Sequence, residues 1–158
     1  MKSFAKTILS PFVRLYEKSA FSDKWYGIFF NPFYFARSGL FRNIRFFGKD
    51  LTGTVLDVGA GTMPYKNLLS CKQYISLEYD TPENRASKRA DYFYNGNSFP
   101  FPDEAFDAVL CTQVLEHVPD PQLFIREIRR VLRPDGKLLL TVPFIWNEHE
   151  CPFDFFRY

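Results

Sequence analysis

The run Thr54-Val-Leu-Asp-Val-Gly-Ala-Gly-Thr62 constrains this chain more than any other segment. β-Branched and apolar residues in an unbroken run, closed by glycines, specify a strand buried on both faces, as in a parallel sheet. Gly59 and Gly61 let the backbone turn sharply and approach a ligand where a Cβ would collide. Asp57 sits just ahead of the first glycine, at the carboxyl end of the strand. In open α/β sheets, nucleotide-like cofactors bind in the crevice beyond that end. A third glycine would complete the dinucleotide fingerprint, but Pro64 stands in its place. Proline suits the first turn of a helix, so a helix is expected to begin at Pro64, with a weakened grip on a pyrophosphate.

The segments that follow repeat the strand-and-turn grammar. Tyr74-Ile-Ser-Leu-Glu78 reads as a second strand ending on a carboxylate, placed where an acidic residue accepts hydrogen bonds from both ribose hydroxyls. Asn95-Gly-Asn-Ser-Phe-Pro-Phe-Pro102 is turn chemistry leading into a short strand, Phe106-Asp-Ala-Val-Leu-Cys111. Asp120 is a good N-cap, and Pro121 a good first helical residue. Phe124, Ile128, Val131 and Leu132 then form one apolar stripe at helical spacing. Arg126, Arg129, Arg130 and Arg133 read as the solvated face of that helix. Pro134-Asp-Gly136 stops the helix, and Lys137-Leu-Leu-Leu-Thr-Val-Pro143 reads as a fifth strand.

Taken together and in order, these segments resemble the class I S-adenosylmethionine-dependent methyltransferases. D-x-G-x-G-T is similar to that family's motif I. The Phe99-to-Val109 region resembles its "LPF…FDaV", Val114-Leu-Glu-His-Val118 its "VLEHV", and Arg130-Val-Leu-Arg-Pro-Asp-Gly-Lys-Leu-Leu-Leu-Thr-Val-Pro143 its "RVLKPGGxLLLxxP". The resemblance runs from about Leu51 to the end. It implies S-adenosylmethionine as cofactor, bound by Asp57, Gly59, Gly61 and Glu78. Asn95, Gly96, Asn97, Thr112 and Gln113 would line its adenine and methionine ends. It also implies an α/β, Rossmann-like, mostly parallel sheet with helices on both faces, lacking the C-terminal strands of the usual seven. The fifth strand would then be an exposed edge, and such edges are normally covered or paired. A homodimer through that edge, or a fold-back of the N-terminal segment, is expected.

The last residues, Phe144 to Tyr158, resemble the "HE.P.DF.RY" stretch of bacterial methyltransferases associated with cell-surface polysaccharides. The implied acceptor is a small molecule, a saccharide or a lipid-linked molecule. His149 suits a general base near pH 7, and Arg157 can hold an anionic part of the acceptor through its planar fork. His117 belongs to the turn after the fourth strand and reads as structural. Glu148, His149, Glu150 and Cys151 are adjacent, and adjacent residues rarely converge on one ion, so no metal site is expected.

Charge divides the chain unevenly. Residues 1–50 carry nine Lys/Arg and three Asp/Glu, hence +6, whereas residues 51–158 carry eleven and fifteen, hence −4. Residues 1–50 also hold fourteen of the thirty aromatic residues. That segment is expected to be a helical cap or an interface, and 51–158 the cofactor-binding domain. Mixed basic and aromatic residues suit peripheral contact with a membrane. Phe4, Ile8, Phe12 and Leu15 fall near helical spacing, interrupted by Pro11. Near-neutral overall charge argues against nucleic acid as a partner. Three cysteines without metal or disulfide spacing point to a reducing, cytoplasmic setting with peripheral membrane contact at most. Two rivals to a methyltransferase stand: a non-catalytic module of the same fold that binds a partner through its fifth-strand edge, and a nucleotide-binding oxidoreductase, which Pro64 disfavours.

Overall fold

The computed structural model describes residues 23–87, 89–143 and 156. The chain divides by internal contact into two units, Met1–Phe47 and Gly48–Tyr158. In the first unit, a single helical turn α1 (Gly27–Phe30) precedes α2 (Tyr34–Phe47). Asn31 separates them, and its Oδ1 accepts the Phe33 N–H at 3.0 Å. The residues from Phe4 to Leu15 lie outside the described residues.

The second unit is a five-stranded sheet in the order β3-β2-β1-β4-β5, with every pairing parallel. Its strands are β1 (Thr54–Val58), β2 (Gln73–Tyr79), β3 (Tyr92–Tyr94), β4 (Phe106–Thr112) and β5 (Leu132–Thr141). Helix α3 (Pro82–Ser87) joins β2 to β3, and α4 (Pro121–Val131) joins β4 to β5. This is the α/β, Rossmann-like architecture that the motifs imply.

Alternation along the strands assigns the two faces. Leu56 and Val58 of β1, Leu77 of β2, and Val109 and Cys111 of β4 pack with Phe124, Ile128 and Val131 of α4 in one buried cluster. Burying each of these large side chains contributes roughly 1.5–3 kcal/mol. The residues between them, Val55, Asp57 and Ser76 among others, are buried on the opposite face. The stripe read from the sequence faces the sheet through Phe124, Ile128 and Val131, but α4 ends at Val131, so Leu132 and Arg133 belong to β5, which starts ahead of Pro134 rather than at Lys137. Asp120 caps α4 as expected, its Oδ1 accepting the Leu123 N–H at 2.9 Å.

Three further readings need correction. No α-helix starts at Pro64; a turn leads into one 3-10 turn, Lys66–Leu68. Met63 sits in the left-handed region at φ 54°, and a residue before proline disfavours the helical region, so helical geometry does not propagate. The short strand β3 beside β2 carries little apolar alternation and escaped the sequence reading.

Arg130 and Arg133 are not simply solvated. Arg130 pairs with Glu127 at 2.7 Å and Asp103 at 2.9 Å, and donates to the carbonyls of Phe101 at 2.8 Å and Phe99 at 3.1 Å. Glu127 in turn accepts the Phe99 N–H at 2.8 Å. The pair clasps the loop before β4 onto α4, and the Arg130 guanidinium holds the Glu127 carboxyl below its usual range. Arg133 pairs with Asp107, whose other oxygen accepts the Thr54 N–H at 2.7 Å, tying the starts of β1 and β5 together. Arg126 and Arg129 are exposed, as read. Replacing Arg130 by Met keeps the aliphatic stem but strands two carbonyls and Glu127. Thermal or urea unfolding should therefore show a loss of about 2–3 kcal/mol. An unchanged midpoint would show the clasp to be ornamental.

Among the described residues, β5 has β4 as its one strand neighbour. Leu138 is 40% exposed there, and Leu139 and Leu140 are half-buried.

Candidate functional site

The chain path reverses across the sheet between β1 and β4. Strands β2 and β3 lie on one side of β1, and β4 and β5 on the other. That switch point opens a crevice at the carboxyl ends of the strands. The carboxyl ends of β1, β2, β3 and β4 and the segments that follow them meet there, carrying Gly59 and Gly61, Glu78, Asn95 to Asn97, and Thr112 with Gln113.

The glycine turn is built on β2. Its first N–H, from Gly59, donates to the Leu77 carbonyl at 2.8 Å. Gly59 has φ +71°, and a Cβ there would lie 2.3 Å from Cγ2 of Val114. The turn therefore requires glycine for internal packing. Gly61 differs: its φ is +51°, yet nothing lies within 4 Å of an added Cβ. The space beside Gly61 is open on the crevice side.

Glu78 is the hinge of the arrangement. Its Oε2 accepts the Gly61 N–H at 2.8 Å, and its Oε1 accepts the Tyr79 N–H at 3.2 Å. One carboxylate thus fastens the glycine turn to the end of β2, and each oxygen keeps a further lone pair for a ligand. A cleft of about 140 Å³ opens beside it, lined by Gly61, Thr62, Glu78, Asn84, Ser87 and Arg89. Tyr79 follows Glu78 with its ring half exposed, against Gly96, whose added Cβ would lie 3.1 Å from that ring. From Tyr79 an edge-to-face series runs inward through Tyr94, Phe99 and Phe124, with centroids 5.8, 5.0 and 5.7 Å apart. The crevice wall is thereby anchored in the core. Sequence reading missed Tyr79, Asn84 and Arg89. An aromatic residue directly after the strand-ending carboxylate was the available signal for the first.

Asp57 is 2% exposed. Tyr74 O–H donates to its Oδ2, and its Oδ1 has no hydrogen-bond partner among the described residues. Burial pushes the carboxyl up to about 7, against the lowering effect of the Tyr74 hydrogen bond, and the nearby charge of Glu78 adds to the rise. Sequence reading placed Asp57 but not its tyrosine.

The remaining residues divide. Asn95 Oδ1 accepts the Asn97 N–H at 3.2 Å, closing its own turn, and Asn95, Gly96 and Asn97 are all exposed. Thr112 pairs with Thr141 across β4 and β5. Gln113, at φ 55°, donates its backbone N–H to the Thr141 carbonyl at 2.9 Å, while its side-chain amide reaches Thr141 Oγ1 at 3.3 Å. Its amide is thus engaged with β5. Next to it, Glu116 is fully buried, with His117 Nε2 3.9 Å from its carboxylate. His149 and Arg157 lie outside the described residues, as do Glu148, Glu150 and Cys151.

A parallel sheet of this order, with its glycine turn at the switch point, defines a Rossmann-like α/β fold, whose ligand crevice lies at this place. A family model described as a methyltransferase domain matches residues 56–140. The chain belongs to that methyltransferase domain family, of the class I S-adenosylmethionine-dependent type that its motifs resemble. An uncharacterized methyltransferase of Mycobacterium sp. (strain KMS) is 36% identical over 95 residues, covering 56% of this chain and 38% of the relative. A probable S-adenosylmethionine-dependent methyltransferase of Mycobacterium tuberculosis (strain H37Rv) is 33% identical over 96 residues, covering 56% of this chain and 35% of the relative. The chain thus spans less than two-fifths of the length of these relatives. In fold it is similar to an S-adenosylmethionine-dependent methyltransferase from Aquifex aeolicus, with a TM-score of 0.51 at 18% identity, covering 71% of this chain and 70% of that one.

Proposed function

We propose that this chain acts as an S-adenosylmethionine-dependent methyltransferase, with a small molecule, a saccharide or a lipid-linked molecule as methyl acceptor. The observation that carries the reading is Glu78 bridging Gly61 and Tyr79 at the carboxyl ends of β1 and β2, within the family match. Glu78 offers its free lone pairs to the ribose hydroxyls, and Tyr79 offers an aromatic face to the adenine. Gly59 and Gly61 bring backbone close to the methionine end, and Gly61 leaves it room. Asp57, when ionised, complements the cofactor's positive charge from beneath the turn. Asn95, Gly96, Asn97, Thr112 and Gln113 border the same crevice.

When bound, S-adenosylmethionine supplies an activated methyl group on sulfonium sulfur. This chain's residues hold and orient it, and in-line displacement draws much of its rate from such positioning. The resemblance of the tail to methyltransferases associated with cell-surface polysaccharides supports the acceptor class. It also supports His149 as the base that takes the acceptor proton and Arg157 as the anchor of an anionic group.

Titration calorimetry separates this reading from its rivals. S-adenosylmethionine and S-adenosylhomocysteine should both bind, and NAD should bind at least about 100-fold more weakly. Tighter binding of NAD would favour an oxidoreductase. No heat with any of the three would favour a partner-binding module.

A further inference from the structure

We propose that the outward face of α1 and α2 is a docking surface for an anionic lipid bilayer. Helix α2 exposes aromatic residues that an ordinary surface helix would bury, in addition to its packed apolar side. Ile44 and Ser38 are its buried residues, whereas Phe35 is 73% exposed, Phe46 67% and Phe47 50%. At 3.6 residues per turn, Phe35, Arg42 and Phe46 project within about 40° of one another. The exposed stripe is thus two phenylalanines with an arginine between them. Just upstream, Trp25 is 74% exposed and Phe29 72%, in edge contact with ring centroids 6.3 Å apart. A helix leaving this much aromatic surface in water is marked for a partner.

Charge selects the partner. Residues 23–47 carry Lys24, Arg37, Arg42 and Arg45 against Asp23 alone. Asp23 is already taken up by Arg45 at 2.8 Å. Exposed aromatic rings beside the exposed Lys24 and Arg42 match the headgroup region of an anionic bilayer, where rings settle at the boundary and cations meet phosphate. A self-associating face would instead set these cations against their own copies. The −4 of residues 51–158 is repelled by the same surface, which favours docking through the N-terminal unit. The inference is independent of the cofactor and acceptor assignments.

The test is co-sedimentation of the 158-residue protein with large unilamellar vesicles, either of phosphatidylcholine alone or with about one-third phosphatidylglycerol, at about 0.1 M salt. The protein should partition at least about tenfold more strongly onto the anionic vesicles, and added salt should weaken it. The triple variant Phe35→Ser, Phe46→Ser, Phe47→Ser alters exposed side chains, so its circular dichroism should match the parent while its partitioning falls at least about tenfold. Arg42→Glu should lower binding to anionic vesicles only. Failure of the parent to bind anionic vesicles would overturn the proposal. So would undiminished binding by a folded triple variant, or a dimer in light scattering that the triple variant abolishes without any vesicle binding.

Discussion

Removing the Glu78 carboxylate should weaken S-adenosylhomocysteine binding by about 2–3 kcal/mol, roughly 30- to 150-fold in Kd. Two losses combine in Glu78→Ala. The ligand loses charge-assisted acceptors for its ribose, and the Gly61 N–H loses its partner at 2.8 Å. Glu78→Gln keeps one acceptor oxygen and should fall between, near tenfold. Because Glu78 is only half-buried, both variants should unfold close to the parent. Calorimetry at one pH with a matched thermal scan makes the comparison. A folded Glu78→Ala protein that binds like the parent would remove Glu78 from the site. Gly59→Val cannot serve the same purpose, since its side chain would meet Val114 and disturb the turn before any ligand arrives. Gly61→Ala is the cleaner steric probe. Its Cβ enters open space, the left-handed φ costs about 1–2 kcal/mol of stability, and lost binding would then report on the crevice.

The second large effect is a pH dependence set by Asp57. Its folded pKa is about 7 against an ordinary value of 3.8. Between those values the folded chain holds a proton that the unfolded chain has released. Stability therefore falls as pH rises from about 4 to about 7, by on the order of 1.4 kcal/mol per unit, and levels off above. Asp80, Asp107 and Glu127 have lowered pKa values and act oppositely, but their window lies in the acid range below their ordinary values. Asp57→Asn mimics the protonated form and keeps an acceptor for Tyr74. It should flatten the profile from pH 5 to 8 and raise the stability of the ligand-free protein at pH 8 by roughly 4 kcal/mol. Urea unfolding at successive pH values checks both. A parent profile already flat from pH 5 to 8 would show that Asp57 is ionised throughout.

Local rules reached far into this molecule. Thr54–Val58 reads as a buried strand because the run is short, rich in β-branched residues and closed by glycines. The α4 stripe and its Asp120 cap were fixed by spacing and by one side-chain oxygen. Order along the chain, with its family resemblance, fixed the crevice to which Gly59, Gly61 and Glu78 contribute. What a single sequence cannot carry is a partner chosen at long range. That Glu78 holds Gly61, seventeen residues away, follows from β1 and β2 lying side by side. Tyr74 reaches Asp57 because parallel register sets Val55 opposite Tyr74 and Asp57 opposite Ser76, on one face. Arg130 looked like one of four solvated arginines until the loop before β4 folded over it. Gly59 and Gly61 read alike in sequence, yet the packing of Val114 makes the first a structural necessity and leaves the second facing open space. Periodicity and caps are written into adjacent residues. Burial, with the pKa shifts and clasps that come with it, exists only once distant segments share a neighbourhood.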